Sequence, residues 1–262
     1  MLLWQLHEGD SPLIVSVPHA GRHVPDAIAL RMHPDARALP DTDFHVDTLY
    51  RFAPATGATL VVATHSRYVV DLNRDPSGAA LYPGADNTEL CPTRTFANGA
   101  IYLPGEAPSE REIAARRAVF FDPYHALLGA QIERVHERHG YAVLLDGHSI
   151  AAEVPRFFAG RLPDLNLGTA DGRSCAPSVA ALATGVLSRA SGFTHVVDGR
   201  FKGGYITRHF GTPGRSVNAL QLEMVQDCYM DESRPSRLDP ARAARLVGVL
   251  ERLVIALSEW RP

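Results

Sequence analysis

Five short runs of β-branched and apolar residues end abruptly in polar or glycine-rich segments: LIVSVPH at 13–19, TLVVATH at 59–65, YVVDLN at 68–73, YAVLLDGH at 141–148 and NALQLEM at 218–224. Unbroken apolar runs of this length are the pattern of strands buried on both faces. Stretches with helical spacing lie between them. The clearest covers 109–140, opening with a capping-box pattern at Ser109 and Glu112 and stopping at Gly140. A second helix follows Pro177, and a third starts at Asp239 as N-cap with Pro240 at the first helical position. Strands alternating with helices of this length predict an α/β sheet covered by helices. There is no internal repeat. The Pro- and Gly-rich stretch from Pro76 to Pro108 has few periodic features and reads as a long excursion near a site, so 1–262 is expected to form a single domain.

Composition narrows the function classes. Of 262 residues 45% are hydrophobic and 21% charged, which supports a sizeable core and argues against disorder. The 26 Lys and Arg against 29 Asp and Glu give a net charge of −3, with no basic concentration of the kind nucleic acid demands. Nothing approaches the roughly 18 consecutive apolar residues of a membrane span, and the N-terminus lacks the pattern of a secretion signal. The expectation is a cytoplasmic protein with a small-molecule partner, without nucleic acid or membrane; the sequence leaves the oligomeric state open. Cys91, Cys175 and Cys228 are odd in number, widely spaced and without a C-x-x-C pair, so neither a disulfide framework nor a thiolate zinc site is indicated.

In open α/β sheets ligands gather at the carboxyl ends of strands, which directs attention to the residues that close each run. The first closes in Pro18-His19-Ala20-Gly21, the third in Asp71-Leu72-Asn73-Arg74 and the fourth in Asp146-Gly147-His148-Ser149, while the fifth carries Glu223. Two imidazoles and a carboxylate with one position open is the usual ligand set of catalytic zinc. His19 and His148 form the natural pair, although either could equally cap a strand by hydrogen bonding. Asp43 and Asp47, four apart, would share a helix face and offer the carboxylate; an acidic first helical turn is the plainer reading. Arg74 suits bidentate recognition of a carboxylate or a surface ion pair with Asp71 or Asp75. Alternation would put Gln221 and Glu223 on one strand face, where an apolar setting raises a carboxyl pKa and suits it to general-base work. The segment 198–211 packs cations and paired glycines into an anion-binding loop or a hairpin, but has no P-loop arrangement. No G-x-S-x-G elbow supports serine hydrolysis, and Cys175 reads better as a buried thiol than as a nucleophile.

Taken in order, Pro18-His19-Ala20-Gly21 with Val24-Pro25, the segment 41–50, Ser66 to Arg74, Asp146 to Ser149, Gly168 to Gly172, Gly203 to Arg208 and Gln221 to Met224 resemble the motifs of the N-formylglutamate deformylase family across nearly the whole chain. That family is similar, more remotely, to the zinc carboxypeptidases and aspartoacylases. The resemblance implies a mixed, mostly parallel sheet flanked by helices, as in zinc exopeptidases, and hydrolysis of N-formyl-L-glutamate to glutamate and formate at the end of a histidine-degradation route. It implies His19 and His148 as ligands of Zn2+ or another divalent metal, Glu223 as general base, and Asn73 with Arg74 as the clamp for a substrate carboxylate. Arg67, Lys202, Thr207 and Arg208 join them as candidate substrate residues. Carboxypeptidase-like enzymes carry a Glu three residues after the first His, where this chain has Arg22. The carboxylate ligand must therefore come from elsewhere; Asp43 or Asp47 is expected, with His45 also open. A related amidohydrolase for another N-acyl acidic amino acid, or a metal-free binding protein, are the competing expectations.

Overall fold

A computed structural model describes residues 2–81, 84 and 86–262. The strands are β1 (Trp4–His7), β2 (Leu13–Val17), β3 (Thr59–Ala63), β4 (Ala142–Ile150), β5 (Leu165–Gly168), β6 (His195–Val197) and β7 (Val217–Val225). The α-helices are α1 (Asp26–Ala29), α2 (Val46–Leu49), α3 (Glu110–Arg116), α4 (Asp122–His139), α5 (Pro177–Ser188), α6 (Tyr205–Phe210) and α7 (Pro240–Glu259). The strands form one seven-stranded sheet in the order β1-β3-β2-β4-β7-β5-β6. The pairs β3–β2, β2–β4, β4–β7 and β5–β6 are parallel, whereas β1 and β5 run antiparallel to β3 and β7. The sheet is therefore mixed and mostly parallel, as expected.

Every residue of β2, β3 and β4 is buried, because helices cover both faces. One face packs Val15, Leu60, Val143 and Leu222 against α2, α5 and α7. The other packs Ile14, Val61, Leu144 and Ala219 against α4 and α6. The caps form as the sequence predicts: Ser109 accepts from the Glu112 N–H, and Asp239 accepts from the Ala241 and Arg242 N–H groups. Gly140 ends α4 in the left-handed region at φ 77°. Among the described residues, no helix is long and apolar enough to cross a membrane.

Two expectations are corrected. The helix expected over 109–140 is broken into α3 and α4 by a π turn at 117–121. Pro123, in the first turn of α4, cannot donate to the preceding turn and its ring would crowd the carbonyl four residues back; the wider π turn relieves both. The run at 68–73 is not a strand. It is buried throughout but made of turns, with the Val69 N–H donating to Ser66 O and the Asp71 N–H to Leu90 O. Its apolar residues face core clusters, so burial mimicked the pattern of a strand. The excursion over 76–108 includes residues 82, 83 and 85, which lie outside the described residues; β1, β5 and β6 are too short or too exposed to have announced themselves.

Candidate metal centre and active site

The central strands β4 and β7 are paired so that Asp146 lies opposite Gln221 and His148 opposite Glu223. Their parallel direction puts these four polar residues at the carboxyl end of the sheet, beside the segment following β2 that carries His19. Asp43 arrives from a loop bracketed by two left-handed residues, Leu39 and His45. Its backbone N–H donates to His19 O at 3.1 Å, and its Oδ2 accepts from the Ser149 N–H at 3.1 Å. His19, Asp43 and His148 are all buried, and one ligand-type atom from each lies within 4.8 Å of the other two.

The far nitrogen of each imidazole is held by a carboxylate: His19 Nε2 lies 2.8 Å from Asp71 Oδ1, and His148 Nε2 lies 2.8 Å from Asp146 Oδ2. This turns both Nδ1 atoms toward Asp43. His148 Nδ1 reaches Asp43 Oδ2 at 3.0 Å, but His19 Nδ1 stops 3.8 Å from it and has no hydrogen-bond partner despite complete burial. A bare imidazole nitrogen aimed at a carboxylate, with its other nitrogen fixed by a second carboxylate, is the arrangement that a resident metal ion requires. The residues fit a divalent metal. A second grouping, Asp164, Asp227 and Cys228, differs because Arg161 already donates to both carboxylates at 2.9 Å.

The electrostatics follow from this burial. Desolvation, reinforced by the Arg67 guanidinium, lowers the His19 pKa, keeping the imidazole neutral and able to bind metal. Burial alone would raise the Asp71 carboxyl, but Arg67, with Nη2 2.7 Å from Asp71 Oδ2, and His19 hold it well below the usual range. Burial disfavours imidazolium at His148, yet Asp146 and Asp43 outweigh it and raise its pKa well above normal, so proton and metal compete for the same nitrogen. Glu223, fully buried, is pushed up to about 8, with desolvation the main cause and the nearby His148 opposing it. Gln221 shapes this carboxylate further. Its Oε1 accepts from the Gly204 N–H at 2.7 Å, which directs its Nε2 to donate to Glu223 Oε2 at 3.2 Å. His19, His148, Glu223 and Arg67 all line one cleft.

The model of the family described as N-formylglutamate amidohydrolase matches residues 11–230. The chain belongs to this family. It is 43% identical to an N-formylglutamate deformylase of Pseudomonas putida, over 97% of this chain and 95% of the relative, and 44% identical to one of Pseudomonas aeruginosa PAO1, over 96% and 94%. A crystal structure of N-formylglutamate amidohydrolase from Ralstonia eutropha JMP134 matches with a TM-score of 0.82 at 28% identity, covering 99% of this chain and 98% of that one. A gene product of Agrobacterium tumefaciens shares the fold with a TM-score of 0.69 at 17% identity, over 98% and 96%.

Within this N-formylglutamate amidohydrolase fold, the sequence candidates separate. Asp47 is exposed on α2 and stays outside the His19–His148 cluster. The shared helix face expected for Asp43 and Asp47 does not exist, because α2 starts only at Val46. His45 Nε2 donates to Pro235 O at 2.9 Å, and His45 does not join the cluster. Arg67 is buried between Asp71 and Asp43, with Nη1 3.6 Å from Asp43 Oδ1, and so acts as an internal counter-charge. Asn73 lines the cleft while its carboxamide is bonded within the protein: its Oδ1 accepts from the Ile206 N–H at 2.8 Å, and its Nδ2 lies 3.2 Å from Asp146 Oδ2 and 3.3 Å from Gln221 Oε1. Its carboxamide ties β4, β7 and α6 together. Arg74 does line the cleft, with Nε donating to Thr88 Oγ1 at 2.6 Å and Nη1 to Asn73 O at 3.2 Å. Lys202 pairs with Asp171 at 2.8 Å, Arg208 faces a separate surface depression with Asp75 and Tyr205, and Thr207 is fully buried; none of the three lines the cleft. Sequence reasoning did not assign Asp71, Asp146 and Gln221 to the support of the metal centre and the base. All three stand one or two residues from residues that were chosen, and spacing of two along a strand was the signal available for Asp146 and Gln221.

Proposed function

We propose that this chain is a metal-dependent amidohydrolase that cleaves N-formyl-L-glutamate to L-glutamate and formate, with His19, Asp43 and His148 as zinc ligands and Glu223 as general base. The observation that carries the reading is the unpartnered, fully buried His19 Nδ1 facing Asp43 in the same cleft as Glu223. The substrate rests on the names of relatives that share more than two-fifths of their residues with this chain over nearly full length. Zinc supplies Lewis acidity when bound, polarising the formyl oxygen and acidifying water.

The chain's own residues do the rest. Asp71 and Asp146 orient the two imidazoles. Glu223 takes a proton from the attacking water on its Oε1, the oxygen that Gln221 leaves open, as the water oxygen bonds to the formyl carbon. When the carbon–nitrogen bond breaks, Glu223 returns that proton to the departing amine, and formate and glutamate are released. Arg74 takes the substrate α-carboxylate beside the scissile amide. We assign the reaction to the end of a histidine-degradation route and the protein to the cytoplasm, where its three cysteines remain free thiols.

The test is formate release from N-formyl-L-glutamate by purified protein, with and without a chelator, beside His148→Ala. Chelation and the substitution should each abolish release, and added zinc should restore the wild type alone. No release under any divalent metal would overturn the proposal.

A further inference from the structure

We infer that Phe96 restricts the acyl group of the substrate to formyl, by walling the metal-binding cleft off from a neighbouring apolar pocket that a longer acyl chain would fill; the inference rests on the amidohydrolase reading of this site. The neighbouring pocket measures about 180 Å³. A cavity of about 150 Å³ already holds a benzene-sized group. Apolar residues make most of its wall, among them Pro40, Ala97, Ala151, Val154 and Pro155. The charged residues among the described ones that line it are Asp41 and Glu153, and neither gives a carboxylate a countercharge. The glutamyl half of the substrate, with its two carboxylates, is thereby kept out, whereas an uncharged acyl chain is accommodated.

Phe96, Ser149 and Ile150 line both the cleft and the pocket, and so form the wall between them. Ser149 and Ile150 end β4 and are buried. Phe96 comes from a loop and is partly exposed. The wall stands at the metal ligand Asp43. The Ser149 N–H donates to Asp43 Oδ2 at 3.1 Å, and the Phe96 ring centroid lies 4.8 Å from the guanidinium carbon of Arg67, whose Nη1 is 3.6 Å from Asp43 Oδ1. A carbonyl carbon bound at this centre carries two substituents. Its nitrogen leads to the glutamyl half, which the pocket excludes, so the acyl substituent is the one that meets the wall. The hydrogen of a formyl group needs no room there; an alkyl chain does.

The wall is also preformed. The Phe96 N–H donates to Asp41 Oδ2 at 2.9 Å, and the same oxygen accepts from Tyr68 OH at 2.6 Å. Arg156 Nη1 donates to the carbonyl of the preceding residue, Thr95, at 2.9 Å. The ring packs against the Arg67 guanidinium and edge-on against Phe157, whose centroid is 5.0 Å away. Moving Phe96 aside breaks these contacts, so it excludes a longer chain instead of yielding to it.

The experiment measures binding of N-formyl-L-glutamate and N-butyryl-L-glutamate by calorimetry to zinc-loaded protein carrying Glu223→Gln to prevent turnover. Phe96 is left intact or changed by Phe96→Leu, by Phe96→Ala, or by Phe96→Ala with Ala151→Leu. Phe96→Ala should lower the ratio of the butyryl to the formyl dissociation constant ~10–60-fold, since three newly buried carbons contribute about 4-fold each, and Phe96→Leu should fall between. Ala151 lines the pocket but not the cleft, so Ala151→Leu should reverse most of the gain. The ratio between ligands is insensitive to any unfolded fraction. An unchanged ratio in both Phe96 variants would overturn the inference, and a lowered ratio that Ala151→Leu leaves untouched would overturn the pocket as the place the chain enters. Formate release by the wild-type chain reports separately on the hydrolase. Release with an unchanged ratio sinks Phe96 alone; a lowered ratio without release sinks the hydrolase and keeps Phe96; neither release nor binding of either ligand sinks both.

Discussion

Replacing Asp146 by Asn isolates what the carboxylate behind a metal-binding imidazole contributes. Asp146 is fully buried; its Oδ2 accepts from His148 Nε2 at 2.8 Å and from Asn73 Nδ2 at 3.2 Å, while its Oδ1 accepts from Ser16 Oγ at 3.0 Å. An Asn there can keep its oxygen toward His148 and turn its amide toward Ser16. The Ser16 hydroxyl can reverse its bond with Tyr124 OH, 3.1 Å away, and accept. Shape and hydrogen bonds survive, so only the negative charge behind the imidazole is lost. Carboxylates in this position typically contribute 10–100-fold to metal affinity, which is about 1.4–2.7 kcal/mol. Competition with a chromophoric chelator should show zinc dissociation constants raised by that factor, with the far-UV circular dichroism unchanged. An affinity within about two-fold of wild type would refute the reasoning, since among the described residues His148 is the ion-pair partner of Asp146. The same change at Asp71 should behave differently. Asp71 also neutralises the buried Arg67, so Asp71→Asn leaves that cation with Asp43 at 3.6 Å as its nearest acid and should cost about 1.5–3 kcal/mol of fold stability, read by chemical denaturation of the metal-free protein.

The other predictions concern the amide network and the base. A Cβ on Gly204 would lie 2.2 Å from Asn73 Nδ2, so Gly204→Ala should displace Asn73 and lower both zinc affinity and kcat/KM by at least ~10-fold; wild-type values in this variant would show that Asn73 positions nothing. Glu223→Gln should lower kcat by ~100-fold or more with KM little changed, and an undiminished kcat would remove Glu223 from the proton path. In the metal-free protein the Glu223 carboxyl has a folded value of about 8 against an ordinary 4.5, so the fold favours its protonated form. Its stabilising contribution is complete below the ordinary value and is lost as pH rises through the folded one. Wild type should therefore lose stability relative to Glu223→Gln between about pH 5 and about pH 9 in denaturant titrations, and a constant difference would refute the buried, protonated carboxyl.

How much of this could be read from the sequence depends on how far each property reaches through space. The helical span over 110–139, though not its π break at 117–121, the helices over 177–188 and 240–259 and the central strands depend on local pattern, caps and burial, and they were legible. His19 and His148 were legible because parallel strands bring their carboxyl ends to one edge whatever their order in the sheet. Asp43 and Asp47 could not be told apart, since both are short acids four residues from each other. What separates them is the left-handed His45 at φ 64°, which delays the helix and leaves Asp43 in a loop against the His19 carbonyl.

Asn73 and Arg200 show the same limit from opposite sides. Asn73 follows an apolar run in a loop-like setting and reads as a group facing ligand; it does line the cleft, and the Ile206 N–H and the acceptors at Asp146 and Gln221 also bind it within the fold. Those partners are 73 to 148 residues away along the chain. Arg200 sits among glycines and cations where no one residue stands out. Its place in the cleft wall involves Phe157, from the segment after β4, whose carbonyl accepts from its Nε. Which side chains face the cleft is decided by pairing across the fold, and charge counted along the chain carries no record of it.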